Sequence, residues 1–396
     1  MSSLESWAYL NRVVEGPSIH IQALLREGYS ADQIAQGVRE RASWIGPLLP
    51  ATANRHTWDQ PVQDLECAAE HGYTLLTPDS PGWPGEEMAI AFSRGVAAAE
   101  ANKDTLPSDA VAPHGLWVKG NTDLASLFAQ SVAFVGTRNI TKYGRDATVD
   151  LVTGLARERY TVVSGGAVGI DGIAHQTALD CEMKTVAVAA CGPGKVYPRQ
   201  HAELFERIAA ADGAVVTEYP PLCNPERHRF LTRNRLVAAL SMGTVVVEAP
   251  FRSGALNTLK WVEVLGRQAM AVPGPITSAA SLGTNLAIQN KRADMVLNAG
   301  QIHELLSRVG EVDAAEQLEL EHLATPVQRL SRNELRVYDA LPAEGMGGRE
   351  AEEIAAAAGL TVALTVHLLM ELLGRGLVAR DKRQWERTAV PTQGPE

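Results

Sequence analysis

The chain has 396 residues, too many for one ordinary hydrophobic core, so we expect two or three domains. Hydrophobic residues make up 45% of it, as in a typical globular protein, and no apolar run approaches the roughly 20 residues that span a bilayer. The N-terminus carries acidic residues among its apolar ones, which is not the pattern of a signal peptide. We therefore expect a cytoplasmic protein with no membrane insertion.

The net charge of −10 argues at first against a nucleic-acid partner, but the charge is unevenly distributed along the chain. Residues 131–300 carry 18 Lys and Arg against 14 Asp and Glu, whereas the remaining residues carry 18 against 32. Basic charge is thus concentrated in the central third. A local phosphate-binding surface is compatible with this distribution, although the whole chain is acidic.

The first 75 residues are predicted to form a small helical module, because apolar residues such as Ile21, Leu24 and Ile34 recur at helical spacing. We expect this module to be of the SAM-like type. Residues 76–113 are rich in Pro, Gly and Ala, and we interpret them as a linker or insertion. Neither segment carries a recognisable chemical motif.

Residues 114–306 alternate between strand-like and helix-like patterns. This alternation is typical of an α/β fold of the Rossmann-like type, with a doubly wound, mostly parallel sheet. Most of the strand-like runs are apolar on both faces, as a sheet covered by helices requires. The predicted strands are Val132–Val135, Thr161–Ser164, Thr185–Ala190, Ala214–Thr217, Thr244–Glu248 and Gln268–Val272. The predicted helices are Arg145–Arg159, Gly172–Cys181, Ala202–Ala211, Arg233–Leu240 and Ala255–Leu265.

Residues 307–328 are predicted to be an acidic linker, and residues 329–388 a C-terminal winged-helix domain. Three helices, Asn333–Leu341, Ala351–Ala358 and Thr361–Leu373, are followed by a strand-like run. The third helix would be the recognition helix, but it contains no Lys or Arg and only His367. A helix that enters a major groove normally brings cations, so we expect this domain to contact protein rather than DNA.

Ligands of a doubly wound sheet bind outside the carboxyl ends of its strands, where three loops of this chain are unusual. The first loop follows the strand Val132–Val135 and presents Arg138, Lys142 and Arg145. Together with the backbone N–H groups of the next helix, these three cations would suit a phosphate.

The second loop is glycine-rich, and its Gly165 and Gly166 would let an anion approach the backbone closely. Its spacing fits neither the dinucleotide fingerprint nor a Walker loop, which disfavours NAD and ATP. Asp171 fits a helix N-cap and His175 the first turn of that helix. We therefore favour structural over catalytic roles for these two residues.

The third loop places four arginines and a histidine around one aromatic residue. Arg227, Arg233 and Asn234 could contact a nucleic-acid strand, and Phe230 would offer a stacking surface. For Arg235, an internal ion pair is as plausible as a ligand contact. Lys195, on another loop at the same sheet edge, would extend the basic rim.

The sequence offers anion binding rather than catalysis. These loops contain no metalloprotease, esterase or paired-carboxylate pattern, and the four cysteines lack CxxC spacing. We therefore expect no catalytic residues, no metal and no cofactor.

The motifs of the central region resemble those of the DprA/Smf family. The resemblance covers roughly Trp117 to Leu297 and follows an ordered set of motifs. These are Gly136-Thr137-Arg138, Ser164-Gly165-Gly166-Ala167 with Gly169-Ile170-Asp171, Tyr197-Pro198, Phe230 with Arg233-Asn234-Arg235, Ser253-Gly254-Ala255-Leu256, Val272-Pro273-Gly274 and Gly283-Thr284-Asn285.

This resemblance implies a bacterial cytoplasmic protein that binds and protects incoming single-stranded DNA during natural transformation. It also implies help in loading the RecA recombinase, and a homodimer formed through the Rossmann-like domain. The family's DNA contacts fall on Arg138, on Arg227 and on the following Phe230. Val168 departs from the family pattern, which usually has an arginine there, and removes one cation from the glycine-rich loop.

A different class of function remains as the alternative. The chain could be a Rossmann-like sensor of a small nucleotide, or a nucleoside-monophosphate phosphoribohydrolase. Such hydrolases carry a Pro-Gly-Gly-x-Gly-Thr run followed by a glutamate, which Val272-Pro273-Gly274-Pro275 does not supply.

Overall fold

The computed structural model describes residues 3–102, 107–307 and 326–388. The chain separates into two compact units, Met1–Val312 and Asp313–Glu396. Most of the predicted acidic linker, residues 308–325, lies outside the described residues, and the predicted domain boundaries stay predictions.

The helices of the first unit are α1 (Ser3–Val14), α2 (Ile19–Arg26), α3 (Ala31–Arg39), α4 (Leu48–Ala51), α5 (Pro61–Glu70), α6 (Gly85–Asn102), α7 (Leu124–Ala129), α8 (Lys142–Leu155), α9 (Ile170–Asp180), α10 (Ala202–Ala210), α11 (Arg227–Ala239), α12 (Gly254–Val264), α13 (Leu282–Gln289) and α14 (Ala299–Leu306). Its strands are β1 (Tyr73–Leu76), β2 (Leu116–Gly120), β3 (Ser131–Val135), β4 (Thr161–Ser164), β5 (Thr185–Val188), β6 (Ala214–Thr217), β7 (Gly243–Val246), β8 (Gln268–Ala271) and β9 (Asp294–Met295).

These strands form one sheet in the order β1-β2-β6-β5-β4-β3-β7-β8-β9. Strands β3 to β9 pair in parallel, and β1 and β2 extend the edge beside β6 in antiparallel pairing. The chain winds outwards from β3 to β6, returns, and continues from β7 on the other side of β3. The winding direction therefore reverses between β3 and β7, and such a switch point is where open α/β sheets bind ligands.

Helices cover both faces of the sheet, as the apolar strands predicted. Buried residues of α7, α11 and α12 form the core on one face, and buried residues of α8, α9 and α14 form it on the other. The Rossmann-like α/β fold with a mostly parallel sheet is thus confirmed. All six predicted strands are present.

The sequence did not predict the outer part of this sheet. The predicted boundary at residue 75 falls inside β1, and β2, which precedes the predicted parallel strands, was missed.

The interpretation of residues 76–113 as a linker is wrong for α6, whose Met88 and Ala91 are buried. Arg267 holds this helix in place by donating hydrogen bonds to the carbonyls of Glu87 and Ala239. An alanine-rich helix has little contrast in hydrophobicity between its faces, so its periodicity is weak. The interpretation therefore relied on the proline and glycine content of the segment, which indicated a linker.

A buried polar network joins the N-terminal helices to the sheet. The fully buried Arg235 donates to the equally buried Glu218 at 2.6 Å and to the Asp109 carbonyl at 2.9 Å. Asn11 of α1 donates to the Glu218 carbonyl and accepts from the Trp117 indole, each at 2.9 Å. Of the two roles considered for Arg235, the structure supports the internal ion pair.

Replacement of Arg235 by alanine should be strongly destabilising. It leaves the Glu218 carboxylate buried without its cation, and breaking a buried pair in this way costs about 3–5 kcal/mol. The matched control is Arg292→Ala, which breaks the more exposed pair with Glu263 and should cost less than about 1 kcal/mol. Denaturant unfolding of the two variants checks the contrast, and equal losses would contradict the structural role of Arg235.

The buried His114 should make stability depend on pH. Burial lowers the pKa of His114 to about 4, with the nearby Arg235 charge acting in the same direction. The unfolded chain has a histidine pKa of about 6.5. Because the unfolded chain binds a proton at His114 more readily than the folded chain, the free energy of unfolding has its full value only above about pH 6.5. It falls by up to about 1.4 kcal/mol per pH unit as the pH decreases towards 4.

Replacing His114 by glutamine should therefore make the unfolding free energy less dependent on pH. Between pH 7 and pH 5 the loss should be about 2 kcal/mol smaller than in the unmodified chain. The exposed His228, replaced in the same way, serves as the control. Parallel pH profiles for the His114 variant and the unmodified chain would refute this assignment.

The second unit contains α15 (Arg332–Ala340), α16 (Ala351–Ala358) and α17 (Val362–Gly374), which lie where three helices were predicted. Strands β11 (Val378–Asp381) and β12 (Gln384–Arg387) form a hairpin, and β10 (Arg349–Glu350) pairs with β12. Leu369, Leu372 and Trp385 are among the residues of its core. Its assignment as a winged-helix domain stays a prediction.

No individual helix in the described ranges combines the length and apolar composition that a membrane span needs. The helices α16 and α17 pass that test only as a pair, with a bend of 104° between them.

Candidate functional site

An open cavity of about 810 Å³ lies at the carboxyl edge of the sheet, beside the switch point between β3 and β7. It brings together all three loops that the sequence analysis singled out. Among the predicted site residues, six line it: Arg138, Gly165, Arg227, Phe230, Arg233 and Asn234.

Direct hydrogen bonds join the loops that follow β3, β4 and β7. The Thr137 amide donates to the Glu248 carbonyl at 2.7 Å, and the Ile170 amide donates to the Thr137 carbonyl at 3.2 Å. Gly169 has a φ of 89°, and a Cβ at that position would overlap the Thr137 carbonyl oxygen. A glycine is therefore required where the second loop crosses the first.

The N-terminus of α8 is already occupied by side chains of the protein. Thr141 caps it by accepting from the Gly144 amide at 3.1 Å, and its hydroxyl donates to Glu248 at 2.6 Å. The Thr141 amide donates to the other Glu248 oxygen at 3.2 Å. The Glu248 carboxylate therefore lies against this helix end, where the backbone N–H groups were predicted to hold a phosphate, and its negative charge would repel one.

The structure does not bring Lys142 and Arg145 into the cavity. Both are exposed, and Arg145 lines a different cavity, of about 420 Å³, together with His201 and Arg207. Helix α8 begins at Lys142, three residues before the predicted start, and this places Lys142 and Arg145 on the helix rather than on the loop.

Aromatic rings and cations meet at the mouth of the cavity. The Arg138 guanidinium carbon lies 5.5 Å from the centre of the Phe230 ring, within the range of a cation–π contact. The Tyr197 ring lies 5.2 Å from Phe230, at an interplanar angle of 60°. Arg138 and Arg227 are exposed, and Phe230 is half-buried. The mouth thus offers apolar ring surface next to two solvated positive charges.

A buried guanidinium forms part of the cavity wall. Arg233 donates to the Val188 carbonyl at 2.7 Å, and its Nε has no hydrogen-bond partner among the residues the structure describes. Burial lowers the pKa of Arg233, and the charge of Asp171 partly offsets this effect. Burial likewise raises the pKa of Asp171, with Arg233 acting in the opposite direction. The cavity wall therefore contains the Arg233 guanidinium and, near it, the Asp171 carboxyl group.

The remaining predicted residues have other local roles. Asn234 donates to the Asn257 side chain at 3.0 Å and so links α11 to α12. Gly166 does not line the cavity. It has a φ of 66°, and its carbonyl lies 3.0 Å from a ring nitrogen of His201. Lys195 is exposed and also lies outside the cavity lining.

Two details of the glycine-rich loop differ from the prediction. Gly169, not Asp171, is the N-cap of α9, and the Asp171 carboxylate instead accepts from the Ala167 amide at 3.4 Å. His175 lies beyond the first turn of α9 and is fully buried, 2.7 Å from the Thr185 hydroxyl. Burial lowers the pKa of His175 to about 3, which keeps the ring neutral.

Sequence reasoning missed part of the lining. Tyr197 and the Ser253-Gly254 pair line the cavity but were noted only as family motifs. Leu231, about half exposed, was not considered at all. The signal for Tyr197 was its position after β5, since every loop at the carboxyl edge of the sheet can contribute to such a site.

Alanine at Gly165 should be destabilising, because its Cβ would overlap the Arg233 guanidinium. That guanidinium is buried and hydrogen-bonded, so it cannot move away freely. Overpacking of this kind costs about 1–3 kcal/mol. Gly254→Ala is the matched control in the same lining, since a Cβ there meets no atom within 4 Å. Thermal or denaturant unfolding should detect a loss only at Gly165, and an unaffected Gly165→Ala variant would contradict the described packing.

Comparisons with known proteins agree with this architecture. Residues 101–307 match the family model of DNA recombination-mediator protein A. The chain is 40% identical over 381 residues to a putative DNA processing protein DprA from Mycobacterium tuberculosis, covering 96% of this chain and 93% of that protein. The X-ray structure of DprA from Streptococcus pneumoniae superimposes with a TM-score of 0.61 at 25% identity, covering 79% of this chain and 99% of that one.

A further similar structure concerns the single-stranded DNA binding mode of DprA from Helicobacter pylori. It is 27% identical, with a TM-score of 0.48, and covers 59% of this chain and 95% of that one. The family model spans about half of the chain, and the mycobacterial relative spans nearly all of it. The chain therefore belongs to the DprA/Smf family of DNA-processing proteins.

Proposed function

We propose that this protein binds single-stranded DNA across the cavity at the switch point, without catalysing a reaction there. In this proposal a base stacks on Phe230 and Tyr197, while Arg138 and Arg227 contact the flanking phosphates. The observation that carries it is the exposed Arg138 beside the half-buried Phe230 ring at the mouth of an open cavity. Cationic grooves with aromatic platforms are the usual means of holding single strands.

The recessed position of Phe230 favours an unpaired strand over a duplex. A base can stack on a half-buried ring only after it leaves its neighbours and its pairing partner, which costs a few kcal/mol in a duplex. A single strand offers unstacked bases at little cost. Preference for single strands therefore follows from the shape of the site.

Arg233 would supply a fixed positive charge inside the site. Its guanidinium lines the cavity and is held by the Val188 carbonyl, so its charge would attract a phosphate that enters the cavity. A guanidinium already held in place loses little conformational entropy on binding.

We further propose the biological role that the family resemblance suggests. The protein would protect incoming single-stranded DNA and help to load RecA onto it during natural transformation, and it would act as a homodimer. Membership in the family supports this role, and the cavity supports only the DNA-binding part of it.

The combined variant Arg138→Ala/Phe230→Ala should lose most of its affinity for a single-stranded oligonucleotide. Loss of one stacked base alone weakens binding by about 5- to 150-fold. Loss of one phosphate contact should lower the slope of log affinity against log salt by about 0.7. Salt-titrated fluorescence anisotropy with single- and double-stranded oligonucleotides measures both effects.

The control is Arg157→Ala, an exposed cation just after α8 at the opposite edge of the sheet. It should leave the affinity and the salt slope nearly unchanged. Unchanged affinity of the combined variant would place the DNA elsewhere. Release of free base from nucleoside monophosphates would instead favour the phosphoribohydrolase alternative.

A further inference from the structure

We propose that the N-terminal helical module carries a second stacking subsite for single-stranded DNA, formed by Trp58 and Arg55. This inference rests on the proposed function, because the same strand would occupy the cavity and then continue onto this module. The ligand would be an unpaired base stacked on the indole ring, with its phosphate near the guanidinium.

Trp58 has the features of a stacking platform. The residue is 48% exposed, although tryptophan is usually well buried. The Arg55 guanidinium carbon lies 5.5 Å from the centre of its ring, so a cation already stands beside the aromatic surface. A hollow of about 370 Å³ adjoins the ring and is lined also by Arg12, Thr57, Asp59 and Gln60. The polar groups of these residues could hydrogen-bond to the edge of a base.

The segment that presents Trp58 is held in place by hydrogen bonds. The Trp58 amide donates to the Arg55 carbonyl at 2.8 Å, and the His56 amide donates to the Thr52 carbonyl at 3.0 Å. The Tyr9 hydroxyl of α1 donates to the His56 carbonyl at 2.8 Å. An exposed aromatic ring on a fixed turn binds with little loss of conformational entropy, which favours a ligand platform over a loosely attached side chain.

A short series of contacts connects this subsite to the cavity. Arg55 pairs with one oxygen of Glu15 at 3.2 Å, and Arg229 of α11 pairs with the other at 2.7 Å. Arg229 directly precedes Phe230 in the chain. The exposed Arg227 and His228 lie on the same turn of α11. These contacts connect the segment that carries Trp58 to α11, the helix that carries Phe230.

Three carboxylates near Trp58 or on this path are paired with arginines. Glu15 is shared by two arginines. Asp59 accepts two hydrogen bonds from Arg39, at 2.9 and 3.0 Å, and Asp64 is paired with Arg12. These three carboxylates thus each have an arginine partner, which reduces the repulsion that they would exert on a phosphate.

The test compares oligonucleotides of two lengths on the full chain. A strand of about 6 nucleotides would fill only the cavity, and one of about 20 nucleotides would reach both subsites, since single-strand sites span roughly 4–16 nucleotides. Trp58→Ala should weaken binding of the long strand by about fivefold or more and leave the short strand unchanged. Trp58→Phe should restore most of the loss, because a phenyl ring still stacks.

Trp44→Ala is the matched control, since Trp44 is an exposed tryptophan of the same module, 42% exposed, and stacks on Tyr29. It should leave binding of the long strand unchanged. Thermal unfolding of all variants separates loss of binding from loss of fold. Crosslinking of a photoreactive long strand, mapped by mass spectrometry, should label Trp58 in the unmodified chain.

The possible outcomes separate the two proposals. If Phe230→Ala does not weaken the short strand, the cavity is not the DNA site and the proposed function fails. If it does, but Trp58→Ala binds the long strand as tightly as Trp44→Ala does, the second subsite is refuted. Absence of a Trp58 crosslink together with unchanged affinity would likewise overturn it.

Discussion

Three arginines that α11 carries into the interior determine how the first unit is assembled. Arg229 is paired with Glu15 of the N-terminal module, Arg233 donates to the Val188 carbonyl at the end of β5, and Arg235 is paired with Glu218 beyond β6. A buried guanidinium is tolerated only where each charge meets an acceptor, so these contacts fix the position and rotation of the helix. The residues of α11 that line the mouth of the cavity, Arg227 and Phe230, take their positions from this anchoring.

The same arrangement divides the cations of one short segment into two groups. Arg227 is exposed, whereas Arg229, Arg233 and Arg235 are buried and committed to the protein, with only Arg233 also facing the cavity. The sequence shows four arginines in nine positions and cannot distinguish them, because burial depends on which acceptors the rest of the fold brings near. Helix α11 also begins six residues before its predicted start, since charged residues obscure its apolar periodicity.

The parallel strands and the carboxyl-edge loops were predictable because strongly apolar runs and glycine turns are local features. The outer strands β1 and β2 and the helix α6 were not, because short edge strands and alanine-rich helices have weak periodicity. In the candidate site, the sequence placed Arg138, Gly165 and Phe230 on loops at the carboxyl edge of the sheet, and these three residues line the cavity. The structure places Lys142 and Arg145 on α8, outside the cavity lining, because this helix begins three residues before its predicted start.

The carboxylate of Glu15 links an exposed and a buried charge, and this gives the molecule two different responses to salt. Its contact with Arg229 lies largely inside the protein, where mobile ions screen weakly, whereas its contact with Arg55 and the charges of Arg138 and Arg227 face solvent. If a polyanion binds as proposed, rising ionic strength would therefore release it long before the N-terminal module loosened from the sheet. Binding and architecture would thus differ in their sensitivity to salt.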